Sequence, residues 1–296
     1  MPTCSKASVL VAAVVFWLIG AGSGFGQELF AVLTSDLGPY REAFDGFQAG
    51  FGQKVPFAVL SGPNQDVPAG SRVVAAFGGK AALALYPDTL DLLYCLAPGI
   101  DSAQIGRSGK SIAVRMHPRE ERLAEKVKEI QPGAKRIAVL WISGSFEKRV
   151  EKIRGAFAGV GIELLSEQMT STNEIPDRLR TLFSRNIDAL WLMPDPLLIN
   201  ARSFRVLKEF SWSNRVPLYS PSAGLVEQGA TAALSTGYYD IGKVAGSTAR
   251  QLLQGVSVPG EIYPDKMQIT LNMKAISLLG LKIPEAILLN SDKVLQ

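Results

Sequence analysis

Apolar and polar positions along this chain fall into two alternating kinds of segment. Short continuous apolar runs recur at 29–33, 57–60, 73–77, 92–96 and 112–116, and again at 136–142, 187–193 and 216–219. Runs this short, rich in Val, Ile, Leu and Ala, read as strands buried on both faces. Between them the apolar positions take helical spacing: Tyr40, Phe44, Phe47 and Phe51; Leu123, Val127 and Ile130; Phe146, Val150, Ile153 and Phe157; Ile175, Leu179, Leu182 and Phe183. Strand alternating with helix implies crossover units and a mainly parallel sheet, so the predicted fold class is α/β, doubly wound. The aromatic stripe of the first helix reads as a core face rather than a ligand cage.

Each run of the second half ends in small hydroxyl, acidic or proline residues: Ser143-Gly144-Ser145, Pro194-Asp195-Pro196 and Ser220-Pro221-Ser222. In a parallel sheet, ligands bind in the crevice beyond the carboxyl ends of the strands, so these tips predict the rim of a small-molecule pocket. Thr34-Ser35-Asp36 and Gly78-Gly79 are the matching tips of the first half, the glycines allowing a close backbone approach to something bound.

The tips suggest particular chemistry. Ser143 and Ser145 precede a helix start near Phe146, whose free N–H groups suit a carboxylate or other anion; Ser145 as a plain helix cap is the equal alternative. Asp195, stiffened by its flanking prolines, is expected to pair with a ligand ammonium group. On that reading Asp195→Ala weakens binding and leaves the unliganded melt nearly unchanged. Asp36 and Asp240 are either ligand contacts or ordinary turn and helix-start acids. Tyr219, Tyr238 and Tyr239 could supply flat walls with a polar edge, which fits an amino acid or an aromatic solute.

The amino terminus bears on where such a pocket works. Lys6 precedes an apolar stretch over 9–19, followed by small residues to Gly26, the pattern of a cleaved export signal. A bilayer span needs about 20 apolar residues, more than this run offers. Cys4 lies ahead of the stretch, where a lipid-anchored cysteine would not be. Cys95, among Leu92, Leu93, Tyr94 and Leu96, is then the only thiol left, so no internal disulfide is expected and the thiol reads as core.

The formal net charge of +4 is spread over interspersed acids and bases, which leaves no nucleic-acid footprint. The processed chain, about 270 residues, is large for one core and predicts two lobes. A hinge is expected at Met116-His117-Pro118, with His117 structural. Gly109-Lys110-Ser111 ends like a phosphate loop, but Gln104 stands where the first glycine belongs and a strand follows. Nucleophile-elbow and metal-helix motifs are missing and one histidine leaves little acid–base chemistry. The remaining enzymatic alternative is a carboxylate-only hydrolase built on Asp36, Asp195 and Asp240. No cofactor or metal is expected.

The stretch Gly237-Tyr-Tyr-Asp-Ile-Gly-Lys-Val-Ala-Gly-Ser-Thr-Ala-Arg-Gln-Leu-Leu-Gln-Gly255, followed by Leu271-Asn-Met-Lys-Ala-Ile-Ser-Leu-Leu-Gly-Leu-Lys-Ile-Pro284, resembles the end of bacterial ABC-transporter substrate-binding proteins. Pro132-Gly-Ala-Lys-Arg-Ile-Ala-Val-Leu140 and Gly78-Gly-Lys-Ala-Ala82 are similar to signals of the same group, which has the type I periplasmic-binding fold and includes tryptophan- and tyrosine-type receptors. The resemblance implies two α/β lobes, 27–117 with about 230–262 and 118–229 with about 263–296, closing on a solute held between them. It also implies a periplasmic monomer that hands the solute to a membrane permease, or a receptor that reports to a membrane sensor. The chain departs from the family at Pro98-Gly-Ile-Asp-Ser-Ala-Gln-Ile-Gly106, where members carry Gly-Gly-Asn-x-Thr-Gly, and in the short region 62–72.

Overall fold

The computed structural model describes residues 28–296, so the export signal expected over 1–26 lies outside the described residues. The first part of the chain runs β1 (Leu29–Leu33), α1 (Pro39–Phe51), β2 (Phe57–Val59), β3 (Val73–Phe77), α2 (Gly79–Ala82), β4 (Asp91–Cys95), α3 (Ser102–Ile105) and β5 (Ser111–Val114). It continues through α4 (Glu120–Ile130), β6 (Arg136–Trp141), α5 (Glu147–Gly159), β7 (Glu163–Gln168), α6 (Ile175–Ser184) and β8 (Ala189–Leu192). Next come α7 (Ala201–Asn214), β9 (Leu218–Ser220), α8 (Ala223–Glu227) and β10 (Ala232–Ser235). Last are α9 (Tyr238–Leu253), β11 (Glu261–Ile262), β12 (Gln268–Asn272), α10 (Met273–Leu279), α11 (Glu285–Leu289) and β13 (Lys293–Leu295).

Two sheets result, ordered β11-β5-β4-β3-β1-β2 and β13-β12-β10-β9-β8-β6-β7. Within them only β10 with β12 is antiparallel. The strands β1, β3 and β8 are buried along their whole length, as continuous apolar runs require between two helical layers. The edge strand β7, which carries Glu163, Ser166, Glu167 and Gln168, is half exposed and has no clear apolar run.

Three crossings join the lobes: after β5, between β10 and α9, and between β11 and β12. The return into the first lobe is shorter than the expected 230–262. Ala232–Ser235 is a strand of the second sheet, registered on β9 and β12, and only from α9 onward does the chain pack on the first lobe. The connection from β2 to β3 carries no helix, in keeping with the shortness of 62–72.

The aromatic stripe of α1 is core. Phe44 and Phe47 meet Phe77 edge-on at 5.8 and 5.4 Å, under the opposing residues Ile241, Ala245 and Ala249 of α9. Cys95 sits in the same cluster, its thiol pushed up by burial alone. No helix among the described residues is long and apolar enough to cross a membrane.

Candidate functional site

The carboxyl ends of the two sheets face each other across the crossings, and two hollows lie between the lobes, with Met116 and Pro194 bordering both. The larger, about 640 Å³, has Glu42 and Tyr238 of the first lobe on one wall and Pro196, Pro221 and Ser222 of the second on the other. Thr236 and Gly237, at the second crossing, line its floor. The other is a cavity of about 130 Å³ at the first and third crossings, walled by charged side chains.

Of the residues singled out in the sequence, Ser222 and Tyr238 line the larger hollow, with Tyr238 half-buried. Ser145 lines the smaller one and faces Gly99, where even a Cβ would come within 2.8 Å of the Ser145 Oγ. Its hydroxyl caps no helix; a single 3₁₀ turn, Gly144–Phe146, precedes α5.

Several expectations are corrected. Asp195 borders the larger hollow but is fully buried, and its carboxylate is already filled. One oxygen accepts from the N–H of Ile142 at 2.7 Å and of Ser143 at 2.8 Å; the other accepts from the Ser143 hydroxyl at 2.5 Å and the N–H of Leu197 at 3.0 Å. Asp195 therefore ties the end of β6 to the end of β8, and it has no lone pair left for an ammonium group. Ser143 is spent on the same network.

Ser220 is buried, with its hydroxyl within reach of the carbonyls of Ser222 and Ala232. Tyr219 is core as well, stacked on Trp191 at 6.1 Å and donating to Gln131 Oε1. The close approach at Gly78 is to the protein itself: at φ +105°, a Cβ would lie 2.4 Å from Thr34 Oγ1 and 2.6 Å from a Tyr40 ring carbon. Gly79 opens α2, where a Cβ would meet Ile100 at 3.1 Å. Asp36 pairs with Arg41 at 2.7 Å on the surface, and such pairs stabilise little. Asp240 pairs with Lys266 at 3.0 Å, bracing α9 against the third crossing. Ser35 is half-buried and lines neither hollow.

The residues that the sequence did not single out are Glu42, at the start of α1, and the hinge cluster Arg115, Glu120, Arg149, Lys152, Glu261 and Tyr263. Their signal was slight. Arg149 and Lys152 are three apart beside the apolar stripe of Val150 and Ile153, and Glu261 stands alone in a short strand.

The electrostatics of the hinge follow from burial. Arg115 donates to Glu261 and, at 2.9 Å, to the carbonyl of Ile100. Lys152 at 3.2 Å and the Tyr263 hydroxyl at 2.9 Å share the other Glu261 oxygen. Burial acts to raise the Glu261 carboxyl, but the bonds and charge of Arg115, with Tyr263 and Lys152, outweigh it and hold the group at about 2. Arg149 bonds Glu120 at 3.3 Å, and burial lowers its guanidinium to about 10 against that partner's pull.

His117 donates from Nδ1 to the Pro118 carbonyl at 2.8 Å and stands edge-on to Tyr263. Burial first, then the charges of Arg149, Arg115 and Lys152, press it well below its ordinary 6.5. The fold thus prefers neutral His117, so protons bind the unfolded chain more readily. Stability is whole above pH 6.5 and falls as the pH drops below it toward the folded value; Glu261 adds a further loss between 4.5 and about 2. Urea unfolding at about pH 7 and about pH 5 should show this loss, and His117→Gln should flatten it. An unchanged slope in the variant would assign the loss to other groups.

A family model described as ABC transporter substrate binding protein matches residues 99–295. A tyrosine-binding protein of Clostridioides difficile (strain R20291) is 24% identical over 181 residues, 58% of this chain and 51% of that protein. The chain thus spans about half the length of this curated relative. Among solved structures, an ABC domain in complex with L-Trp from Streptococcus pneumonia is 22% identical, with a TM-score of 0.64, covering 90% of this chain and 100% of the other. A ligand-free, open substrate-binding protein with adhesive properties from Clostridium difficile is 18% identical, with a TM-score of 0.65, covering 91% and 99%. These likenesses show the two-lobed fold.

Proposed function

The chain belongs to the family of ABC-transporter substrate-binding proteins, and on that premise we propose that it is the exported, periplasmic component of an importer, taking up an amino acid between its lobes and passing it to a membrane permease. The observation that carries this reading is the 640 Å³ hollow, which falls in the range of small-molecule sites and takes its walls from both lobes. A guest touching both walls binds the closed arrangement more tightly than an open one, and that difference is what a permease can read.

The lining suits an amino acid with a flat side chain. Tyr238 and the rings of Pro194, Pro196 and Pro221 offer apolar faces, and the Glu42 carboxylate offers a partner for an ammonium group. Ser222 adds a hydroxyl. The names of the relatives, a tyrosine-binding protein and a domain holding L-Trp, point the same way. In this reading the lobes are 28–117 with about 237–263, and the intervening and final segments. Ser35, Asp36, Gly78, Gly79, Ser143, Asp195, Ser220 and Asp240 shape or brace the facing edges, and Ser222 and Tyr238 touch the guest.

A ligand that binds only the folded state raises Tm by mass action. With a panel of amino acids, peptides, sugars and purines, an aromatic amino acid should give the largest rise, reduced in Tyr238→Ala. No shift from any compound would defeat the proposal, and a rise with sugars alone would replace its solute.

A further inference from the structure

The 130 Å³ hinge cavity is lined by four cationic side chains, Arg115, Lys148, Arg149 and Lys152, against three carboxylates, Asp101, Glu120 and Glu261. One positive charge is left over, and its place can be traced. Lys148 and Asp101 face each other at 3.9 Å near the surface, and Glu120 is bound by Arg149. Glu261 serves two cations at once, Arg115 and Lys152. His117 does not add to the charge, because burial first and then the neighbouring cations hold it neutral.

Of the two buried guanidinium groups here, Arg115 and Arg149, Arg149 is the less satisfied. Its side chain is only 15% exposed, yet only its Nε is bonded; among the described residues neither Nη has a hydrogen-bond partner. Buried guanidinium groups are ordinarily paired, and the free fork of two Nη groups matches the two oxygens of a carboxylate. The Ser145 hydroxyl borders the same space, and so does Tyr94 from the opposite lobe.

We propose that this hinge cavity is a binding site for a carboxylate group, met by the Arg149 Nη pair and bridging the two lobes. Arg149, Lys152 and Ser145 come from the second lobe, and Arg115, Tyr94 and Glu261 from the first, so an anion held here favours the closed arrangement. The carboxylate is either that of the solute reaching in from the larger hollow, past Met116 and Pro194, or a separate small acid. Only the first source rests on the amino-acid reading given above.

The test compares acetate with acetamide, its neutral isostere, in melts of the purified protein at matched ionic strength set with sodium chloride. Acetate should raise Tm saturably and acetamide should not, and Arg149→Met should abolish the difference. Because that substitution strands Glu120, the neutral pair Glu120→Gln with Arg149→Met must lose the acetate response too. A response equal for acetate and acetamide, or one that survives both variants, overturns the proposal. L-Tyrosine and L-tyrosinamide then separate the sources. If the solute's own carboxylate enters, the amide binds about tenfold to a hundredfold more weakly and saturating tyrosine removes the acetate response. Additive shifts place a separate acid in the cavity. If acetate responds as expected and no amino acid does, the solute assignment fails and the site stands.

Discussion

Replacing Gly242 by alanine should cost about 3 kcal/mol of stability, at the upper end of what overpacking does. Helices α1 and α9, nearly two hundred positions apart in the chain, approach so closely that their glycines meet the opposing backbone. A Cβ on Gly242 would lie 1.8 Å from the Ala43 carbonyl oxygen, and one on Gly246 would lie 2.1 Å from that of Phe47. From the other side, a Cβ on Gly46 would lie 2.0 Å from the carbonyl oxygen of Tyr239, and one on Gly50 would lie 2.1 Å from that of Lys243. A side chain in such a position could rotate away, but a helical carbonyl cannot without breaking its helix, so the helices must separate. Separation also opens the packing of Phe44, Phe47, Ile241 and Ala245 beneath them. Gly155, in α5, has nothing within 4 Å, and alanine there should stabilise by about 0.5–1 kcal/mol through helix propensity. Chemical unfolding of both variants checks the contrast. A Gly242→Ala protein as stable as the parent would show that α1 and α9 stand further apart than this.

The second large effect is at Asp195, and it reverses the outcome read from the sequence. With its carboxylate buried and accepting from Ile142, Ser143 and Leu197, truncation to alanine removes the acceptor for three N–H groups and one hydroxyl. Unpaired buried donors cost about 1–3 kcal/mol each where water does not reach them, so Asp195→Ala should destabilise the unliganded protein by about 3 kcal/mol. Asp195→Asn keeps one acceptor oxygen and should fall between. A melt unchanged by Asp195→Ala, together with weaker binding, would restore the ammonium-partner role.

The role of Asp195 is ambiguous in the sequence, whereas the strand ahead of it is not. The run at 189–192 announces itself by composition, because burial on both faces demands apolar residues and nothing else. An acid between two prolines looks the same whether its oxygens face a guest or the end of a neighbouring strand. Its partners, Ile142 and Ser143, lie 53 and 52 positions away. Gly78 misled in the same way: its positive φ signals a close approach, and the atoms approached belong to Thr34 and Tyr40. Tyr238 and Ser222 lie just past strand ends that face the other lobe, a position legible in the sequence, and both line the larger hollow. Glu42 lines it too, but a helix start that packs against a distant helix gives no local mark. The glycines of the family-like segment 237–255 are legible as a signature; the physical cause of two of them, the contact of Gly242 and Gly246 with α1, is not.

By itself, the sequence determined the strands β1 to β6, β8 and β9, the helices α1, α4, α5 and α6, the α/β class, the core stripe of α1 and the family it belongs to. Apolar periodicity acts over a few residues, and each short window carries its own answer. The tertiary structure alone decided which polar groups meet: Arg149 with Glu120, Arg115 and Lys152 with Glu261, Asp195 with Ser143. Those meetings depend on where three crossings and two sheets place the strand ends, and Coulomb and hydrogen-bond partners chosen across 29 to 146 positions leave no trace in any one window.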